Sequence, residues 1–161
     1  FKGTAGDCVV RSVAIVSGRP YREVYDALSE GCRNQRLTKR SYRMQSARDG
    51  VNVRRKWFKD YMASLGFEWT ACMSIGTGCT VHLHDGELPP GRLVVSVSRH
   101  HTAVVDGVIY DTHDPQREAH VIESDDGREL RTGEWRNENG ICRISRRCVY
   151  GYWTLSQTEG N

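Results

Sequence analysis

Residues 100–111 read HHTAVVDGVIYD, and this stretch decides how the second half of the chain folds. Two β-rich runs flank Asp106-Gly107, a dipeptide that favours two-residue hairpin turns because both positions tolerate positive φ. We therefore predict a β-hairpin in which Val105 faces Val108.

The predicted register places two histidines and an acid on one face of the hairpin. Side chains alternate between faces along a strand, so His100, Thr102, Asp111 and His113 share one face and His101 lies on the other. His100 and Asp111 become diagonal neighbours, within reach of an imidazole–carboxylate hydrogen bond. The register therefore favours His100 over His101 as a base, and a slip of one residue would reverse that choice.

Cys8 is the candidate nucleophile for that base. It follows Gly6-Asp7, which offers an N-cap, and opens an apolar segment with helical spacing. Backbone N–H groups at a helix N-terminus favour an anion, so we expect this position to lower the pKa of the Cys8 thiol. The alternative is that Cys8 is an ordinary buried cysteine in a first helical turn. Without the histidine and the acid, the position of Cys8 favours that alternative.

The other periodic segments predict an α+β fold. A second helix is expected at about 20–29, and a third carries Val53, Trp57, Tyr61 and Leu65 on one face before ending at Gly66. Further strands are expected at 67–73, 92–97 and 148–155. Helices first and strands afterwards predict one domain, 1–161, with N-terminal helices packed on an antiparallel β-sheet.

Two segments lack a clear periodic pattern. Residues 33–56 carry nine Lys and Arg against one acid, Asp49, and are interpreted as a basic loop. Such a loop can bind nucleic acid through phosphate contacts, although charged loops are more often solvated surface. Residues 114–146 are polar and are interpreted as a loop excursion.

Composition excludes a disordered chain. The 161 residues are 38% hydrophobic and 27% charged, with a net charge of only +3, too small to identify a partner. No apolar run approaches the roughly 20 residues of a membrane span, and no signal peptide is visible.

The six cysteines are too few for a disulfide scaffold, so we expect free thiols in a reducing cytoplasm. Cys72 with Cys79, or Cys142 with Cys148, could also bridge a short loop.

A zinc site near residue 80 is disfavoured. Cys72, Cys79, His82 and His84 are close in sequence, but in a strand His82 and His84 would face away from Cys79. The spacing matches no standard zinc finger. We therefore predict no metal site.

Three segments carry a resemblance to a known family: 6–11 (GDCVVR), 100–107 (HHTAVVDG) and 110–115 (YDTHDP). Together they resemble the papain-like cysteine peptidase superfamily, in a compact form similar to the bacteriocin-leader peptidases. The chain is also similar to uncharacterised bacterial and phage papain-like proteins that end in a segment like 148–153 (CVYGYW).

The resemblance implies a papain-like fold and a Cys-His-Asp catalytic triad. Cys8 would attack an amide or thioester carbonyl of a protein or peptide, His100 would move the proton, and Asp111 would orient the imidazole. His101 and Asp114 are the alternates for base and orienting residue. No cofactor is implied, and deamidation, transglutamination or removal of a protein modifier could use the same triad.

The chain departs from the family at the oxyanion site. Lys2 stands where these peptidases usually place a glutamine, which leaves the backbone N–H of Cys8 as the identified oxyanion donor. Loss of one such donor typically costs about 10²–10³ in rate. The alternative function is therefore a weak or inactive papain-like module that binds a host protein or nucleic acid through 33–56.

Overall fold

In the computed structural model, which describes residues 6–39, 45–84, 86–116, 120–124, 134–137 and 140–156, helices come first and strands follow. The helices are α1 (Cys8–Ser17), α2 (Tyr21–Asn34), a 3-10 turn (Ala47–Asp49) and α3 (Lys56–Ser64). The strands are β1 (Phe67–Ala71), β2 (Arg92–Val97), β3 (His100–Val105), β4 (Val108–Tyr110), β5 (His120–Ser124), β6 (Glu134–Asn137), β7 (Gly140–Ser145) and β8 (Val149–Leu155). None of the helices in these ranges is long and apolar enough to cross a bilayer.

The main sheet is antiparallel and has five strands in the order β1-β8-β2-β3-β4. The predicted α+β class is therefore confirmed. The final strand β8 pairs with β1 on one side and with β2 on the other. It therefore links β1 to the sheet formed by β2, β3 and β4.

Apolar cores cover both faces of this sheet. On one face, α1 buries Val10 and Val13 in a core that includes Val94 and Ala103. On the opposite face a second core contains Leu93, Val95 and Val104. Because neighbouring positions of β2 and β3 face apolar cores on opposite sides, 93–95 and 103–105 are continuous apolar runs without polar alternation.

The β3–β4 hairpin has the predicted register. Val105 pairs with Val108, and the turn residues Asp106 (φ 49°) and Gly107 (φ 82°) both have positive φ. These angles are those of a turn that matches the twist of the flanking strands. Gly91 N–H donates to the Asp106 carboxylate (2.9 Å) and Asp106 N–H donates to the Gly91 carbonyl (2.8 Å), which anchors the turn to the start of β2.

The basic segment 33–56 is a loop over fewer residues than the sequence predicts, because helices extend into both of its ends. Helix α2 extends to Asn34, so Arg33 is helical, and α3 begins at Lys56. The extension passes through Gly31, where a Cβ atom would lie 2.3 Å from the Trp57 ring. Gly31 therefore allows α2 and α3 to approach closely, a tertiary contact that outweighs the low helix propensity of glycine.

Helix α3 buries a different face from the one predicted. Phe58 and Met62 are fully buried, whereas Trp57, Tyr61 and Leu65 are only partly buried. The fully buried residues are four positions apart, as predicted, but each lies one position later than the predicted residue.

The prediction that residues 114–146 form a polar loop is wrong. Strands β5, β6 and β7 form a second antiparallel sheet in the order β5-β7-β6. Backbone pairing defines these strands, while the charged and polar residues in the segment conceal the apolar alternation on which a sequence-based assignment depends.

The expectation of free thiols is wrong for two cysteines. Cys79 is disulfide-bonded to Cys148, so neither short-loop pairing forms. The bond ties the segment before His82 to the start of β8, beside the backbone hydrogen bond from Val149 N–H to the Val81 carbonyl (2.9 Å). The bond also removes Cys79 from the cysteine–histidine group considered for zinc.

Replacing Cys79 by serine should lower the free energy of unfolding. The bridged residues are 69 positions apart, and closing a loop of that length stabilises a protein by about 4 kcal/mol in the chain-entropy treatment. Urea unfolding under non-reducing conditions measures the loss. Dithiothreitol should destabilise the wild type and leave the variant unchanged, and equal midpoints for the two oxidised proteins would contradict the prediction.

Candidate active site

The predicted histidine–carboxylate pair is formed where β3 begins and β4 ends. His100 Nε2 lies 2.6 Å from Asp111 Oδ2, and the side chains are only 11% and 4% exposed. Because Nε2 faces the carboxylate, it carries the ring proton when the imidazole is neutral. The lone pair of neutral His100 is then on Nδ1.

Asp111 is held as a carboxylate by its hydrogen bonds. Burial alone would raise its pKa, but hydrogen bonds from His100 and the Thr112 N–H, with the nearby Thr102 hydroxyl, outweigh burial and lower the pKa. The Thr112 N–H is 2.7 Å from Oδ1. The buried Thr102 hydroxyl is close enough to favour the anion, although its geometry to every acceptor in the described residues falls short of a standard hydrogen bond.

Cys8 is the first residue of α1 and lies against the start of β3. The backbone N–H groups of His101 and Val9 favour the anionic form of its sulfur, and the negative charge of Asp111 opposes it. Ser12 Oγ connects the same two elements, because it lies 2.7 Å from the Cys8 carbonyl oxygen and 3.0 Å from that of His101. Cys8 therefore lies close to the start of β3 and near enough to Asp111 to be affected by its charge, although no hydrogen bond joins Cys8 to His100 among the described residues.

The pKa of Cys8 differs from the expectation for a helix N-terminus. Burial raises the pKa of the thiol, and this effect exceeds the opposite effects of the two N–H groups and of Arg11. The predicted depression is therefore wrong. A raised pKa favours the neutral thiol at rest, so a reaction at the sulfur would need its proton removed.

The alternate base is less suited to that proton transfer. His101 lies on the opposite face of β3 from His100, the face that Ala103 presents to α1. Burial and the nearby positive charge of His100 lower the pKa of His101 to about 4. Its imidazole is therefore neutral at pH 7 and a weak proton acceptor.

The remaining predicted residues have separate positions. Asp114 is exposed, and its carboxylate accepts a hydrogen bond from Gln116 N–H (2.8 Å) in a local turn. Lys2 lies outside the described residues. The first intrahelical hydrogen bond of α1 runs from Arg11 N–H to the Asp7 carbonyl, so the Cys8 N–H in the first turn has no intrahelical acceptor and is available to an oxyanion.

Asp7 has a larger role than the N-cap that the sequence indicates. Its carboxylate makes no cap hydrogen bond and is fully buried between Arg11 (2.6 Å) and the Tyr21 hydroxyl (2.9 Å). This network fixes the residue before Cys8 to α2. The i,i+4 spacing of Asp7 and Arg11 is the sequence signal that could have revealed the pair.

A groove of about 570 Å³ lies beside His101. Its lining includes Trp69 and Tyr150, which are 44% and 38% exposed, together with the basic side chains Arg54 and Lys59. These residues come from β1, β8 and the segment around α3, so their proximity depends on the sheet order and is not evident in the sequence.

Comparison with known proteins did not identify a relative. No protein-family model, curated protein or solved structure matches the chain. The case for a function therefore depends on the residues and geometry of the site.

Replacing Asp7 by alanine should destabilise the protein by about 3 kcal/mol, because it leaves Arg11 without its buried partner. Asp26→Ala is the matched control, since its pair with Arg22 has the same i,i+4 spacing but is exposed, and exposed pairs of this kind contribute about 0.3–0.5 kcal/mol. Urea unfolding of both variants measures the difference. Similar losses would show that burial of Asp7 adds no stability.

Proposed function

We propose that this chain is a papain-like cysteine peptidase or a related thiol acyl hydrolase that cleaves an amide or isopeptide bond. The observation that carries the proposal is the 2.6 Å contact between His100 and Asp111, near enough to Cys8 for the charge of Asp111 to affect its thiol. Nucleophile, base and orienting acid are the three groups that such chemistry requires.

The orientation of His100 determines the direction of proton transfer. Nε2–H donates to Asp111, so Nδ1 accepts the thiol proton while the Cys8 sulfur attacks the carbonyl carbon. The tetrahedral intermediate then collapses, the C–N bond breaks, and the imidazolium returns its proton to the leaving amine. Water, deprotonated by His100, hydrolyses the thioester and restores the thiol.

The raised pKa of Cys8 supports a coupled mechanism. Since the thiol is neutral at rest, removal of its proton accompanies the attack, in contrast to sites that hold a preformed thiolate. The N–H of Cys8, at the positive end of α1, stabilises the developing oxyanion.

The groove beside His101 is the proposed binding site for the substrate, because the backbone of His101 lies next to Cys8. Cys8, His100 and Asp111 are not part of its lining, so the scissile bond would extend from the groove toward Cys8. Trp69 and Tyr150 supply apolar contact area, and Arg54 and Lys59 favour an acidic group nearby. These features suit a peptide with an aromatic or aliphatic side chain next to a carboxylate.

Bacterial or phage origin remains part of the proposal. A cytoplasmic location does not, because the disulfide between Cys79 and Cys148 is typical of oxidising compartments.

The same groove favours one alternative, a binding module without turnover. Basic and aromatic side chains together can also hold single-stranded nucleic acid through phosphate contacts and stacking. Within 33–56, however, Arg55 donates to the Arg36 carbonyl (3.1 Å) and Lys56 pairs with Asp60 (2.7 Å). The ion pair offsets the charge of Lys56 and the carbonyl occupies a donor of Arg55, so both have less to offer a phosphate, and the hydrolase is the favoured proposal.

Incubation with p-nitrophenyl acetate should acetylate Cys8 and release p-nitrophenolate. His100→Ala should slow this step at least about 100-fold, the usual minimum contribution of a general base. Cys8→Ala should abolish it. Peptide mass spectrometry locates the acetyl group, and Cys72→Ala is the control because Cys72 is another partly exposed free thiol. Equal acetylation of Cys8 and Cys72, unchanged by His100→Ala, would refute the proposal.

Asp111→Asn should keep much more of this reactivity than Asp111→Ala. An amide oxygen still accepts the hydrogen bond from His100 Nε2–H, whereas alanine removes the acceptor and frees the ring. Loss of a hydrogen bond to a charged group corresponds to about a 10- to 100-fold reduction. Single-turnover acetylation rates measure both variants, and equal rates would mean that Asp111 does not orient His100.

A further inference from the structure

His113 is a member of the site that thiol chemistry does not use. Its Nδ1 lies 3.8 Å from Asp111 Oδ1 and 3.4 Å from Thr112 Oγ1, and its ring centre is 5.0 Å from that of His100. The side chain is 58% exposed, in contrast to those of His100 and Asp111. It therefore lies at the solvent side of the histidine–carboxylate pair.

These three residues together have the composition of a metal site. One ligand atom from each of His100, Asp111 and His113 lies within 4.8 Å of the other two. Two imidazoles and a carboxylate are a common ligand set for Zn²⁺, with a fourth position open to water. In tetrahedral zinc, ligand atoms about 2.0–2.1 Å from the ion are roughly 3.3 Å apart, and the exposed His113 side chain has room to close that distance.

Two of the ligands are already oriented by the fold. Asp111 is fixed by the Thr112 N–H at 2.7 Å, and His100 is fixed at the first position of β3. Binding therefore requires His113 to move closer and the 2.6 Å contact between His100 and Asp111 to open to roughly 3.3 Å. A partly formed site still loses less conformational entropy than three free side chains.

We propose that His100, Asp111 and His113 bind one Zn²⁺ ion, and that the bound ion turns off the thiol chemistry of Cys8. Zinc binding and proton transfer both depend on which nitrogen of His100 carries the ring proton. Zinc binds the lone pair of His100 Nε2, so the ring proton moves to Nδ1. In that tautomer Nδ1 cannot accept the proton of Cys8. The binding itself depends only on the ligand geometry, and the inhibition depends on the proposed function.

The test is a titration of the full chain with Zn²⁺ against a chromogenic chelator. The wild type should bind one equivalent, and His113→Ala should bind at least about tenfold more weakly, since even loss of a residue supporting a metal ligand costs about that much. His84→Ala, which removes a histidine outside the cluster, and Cys8→Ala should bind like the wild type. Equal binding by His113→Ala, or loss of binding in Cys8→Ala, would overturn the proposed ligand set.

The same variants separate the metal site from the proposed function. Each protein is acetylated with p-nitrophenyl acetate with and without one equivalent of Zn²⁺ and is compared with its own metal-free rate. Zinc should slow the wild type and His84→Ala but have much less effect on His113→Ala. Equal inhibition of all three would overturn the inhibitory role. Absence of Cys8 acetylation in the metal-free wild type would refute the hydrolase, and the chelator titration would still decide the metal site.

Discussion

The two-residue turn at Asp106-Gly107 is the constraint on which the site depends. It sets the register of β3 against β4, and that register brings His100 to Asp111. A shift of one residue would send every side chain of the strand to the opposite face. The two hydrogen bonds between Asp106 and Gly91 oppose such a shift, because they bind the turn to the neighbouring strand. The geometry of the candidate triad is thus determined mainly by the backbone.

The electrostatics of Cys8 are a balance between two opposite effects of the same location. The first turn of α1 provides N–H groups that favour an anion, while packing against β3 removes the water that would solvate it. Desolvation is the larger effect, so the pKa of the thiol is raised. In the proposed mechanism, the sulfur would therefore stay protonated until a base and a substrate are both in position. The buried Asp7 carboxylate preserves the rigidity of this arrangement by tying Arg11 to Tyr21.

Local patterns predicted the parts of the structure that local interactions determine. The hairpin at 100–111 and the start of α1 at Cys8 follow from turn chemistry and helical spacing. The end of α2 could not be predicted, because it depends on contact between Gly31 and Trp57. The disulfide between Cys79 and Cys148 joins residues that only the completed sheet brings together, and the same is true of the groove beside His101. The sign of the Cys8 pKa shift also depends on tertiary burial.

His100 has one ring proton in its neutral form, and the position of that proton decides what the site can do. With the proton on Nε2, the ring donates to Asp111 and offers Nδ1 as a base. With the proton on Nδ1, the ring offers Nε2 to a cation, and Asp111 and His113 supply the further ligands. The carboxylate suits both states, since it accepts a hydrogen bond in one and neutralises positive charge in the other. Under the two proposals, a buried carboxylate between two histidines gives this fold two mutually exclusive chemistries at one position, and the supply of metal would select between them.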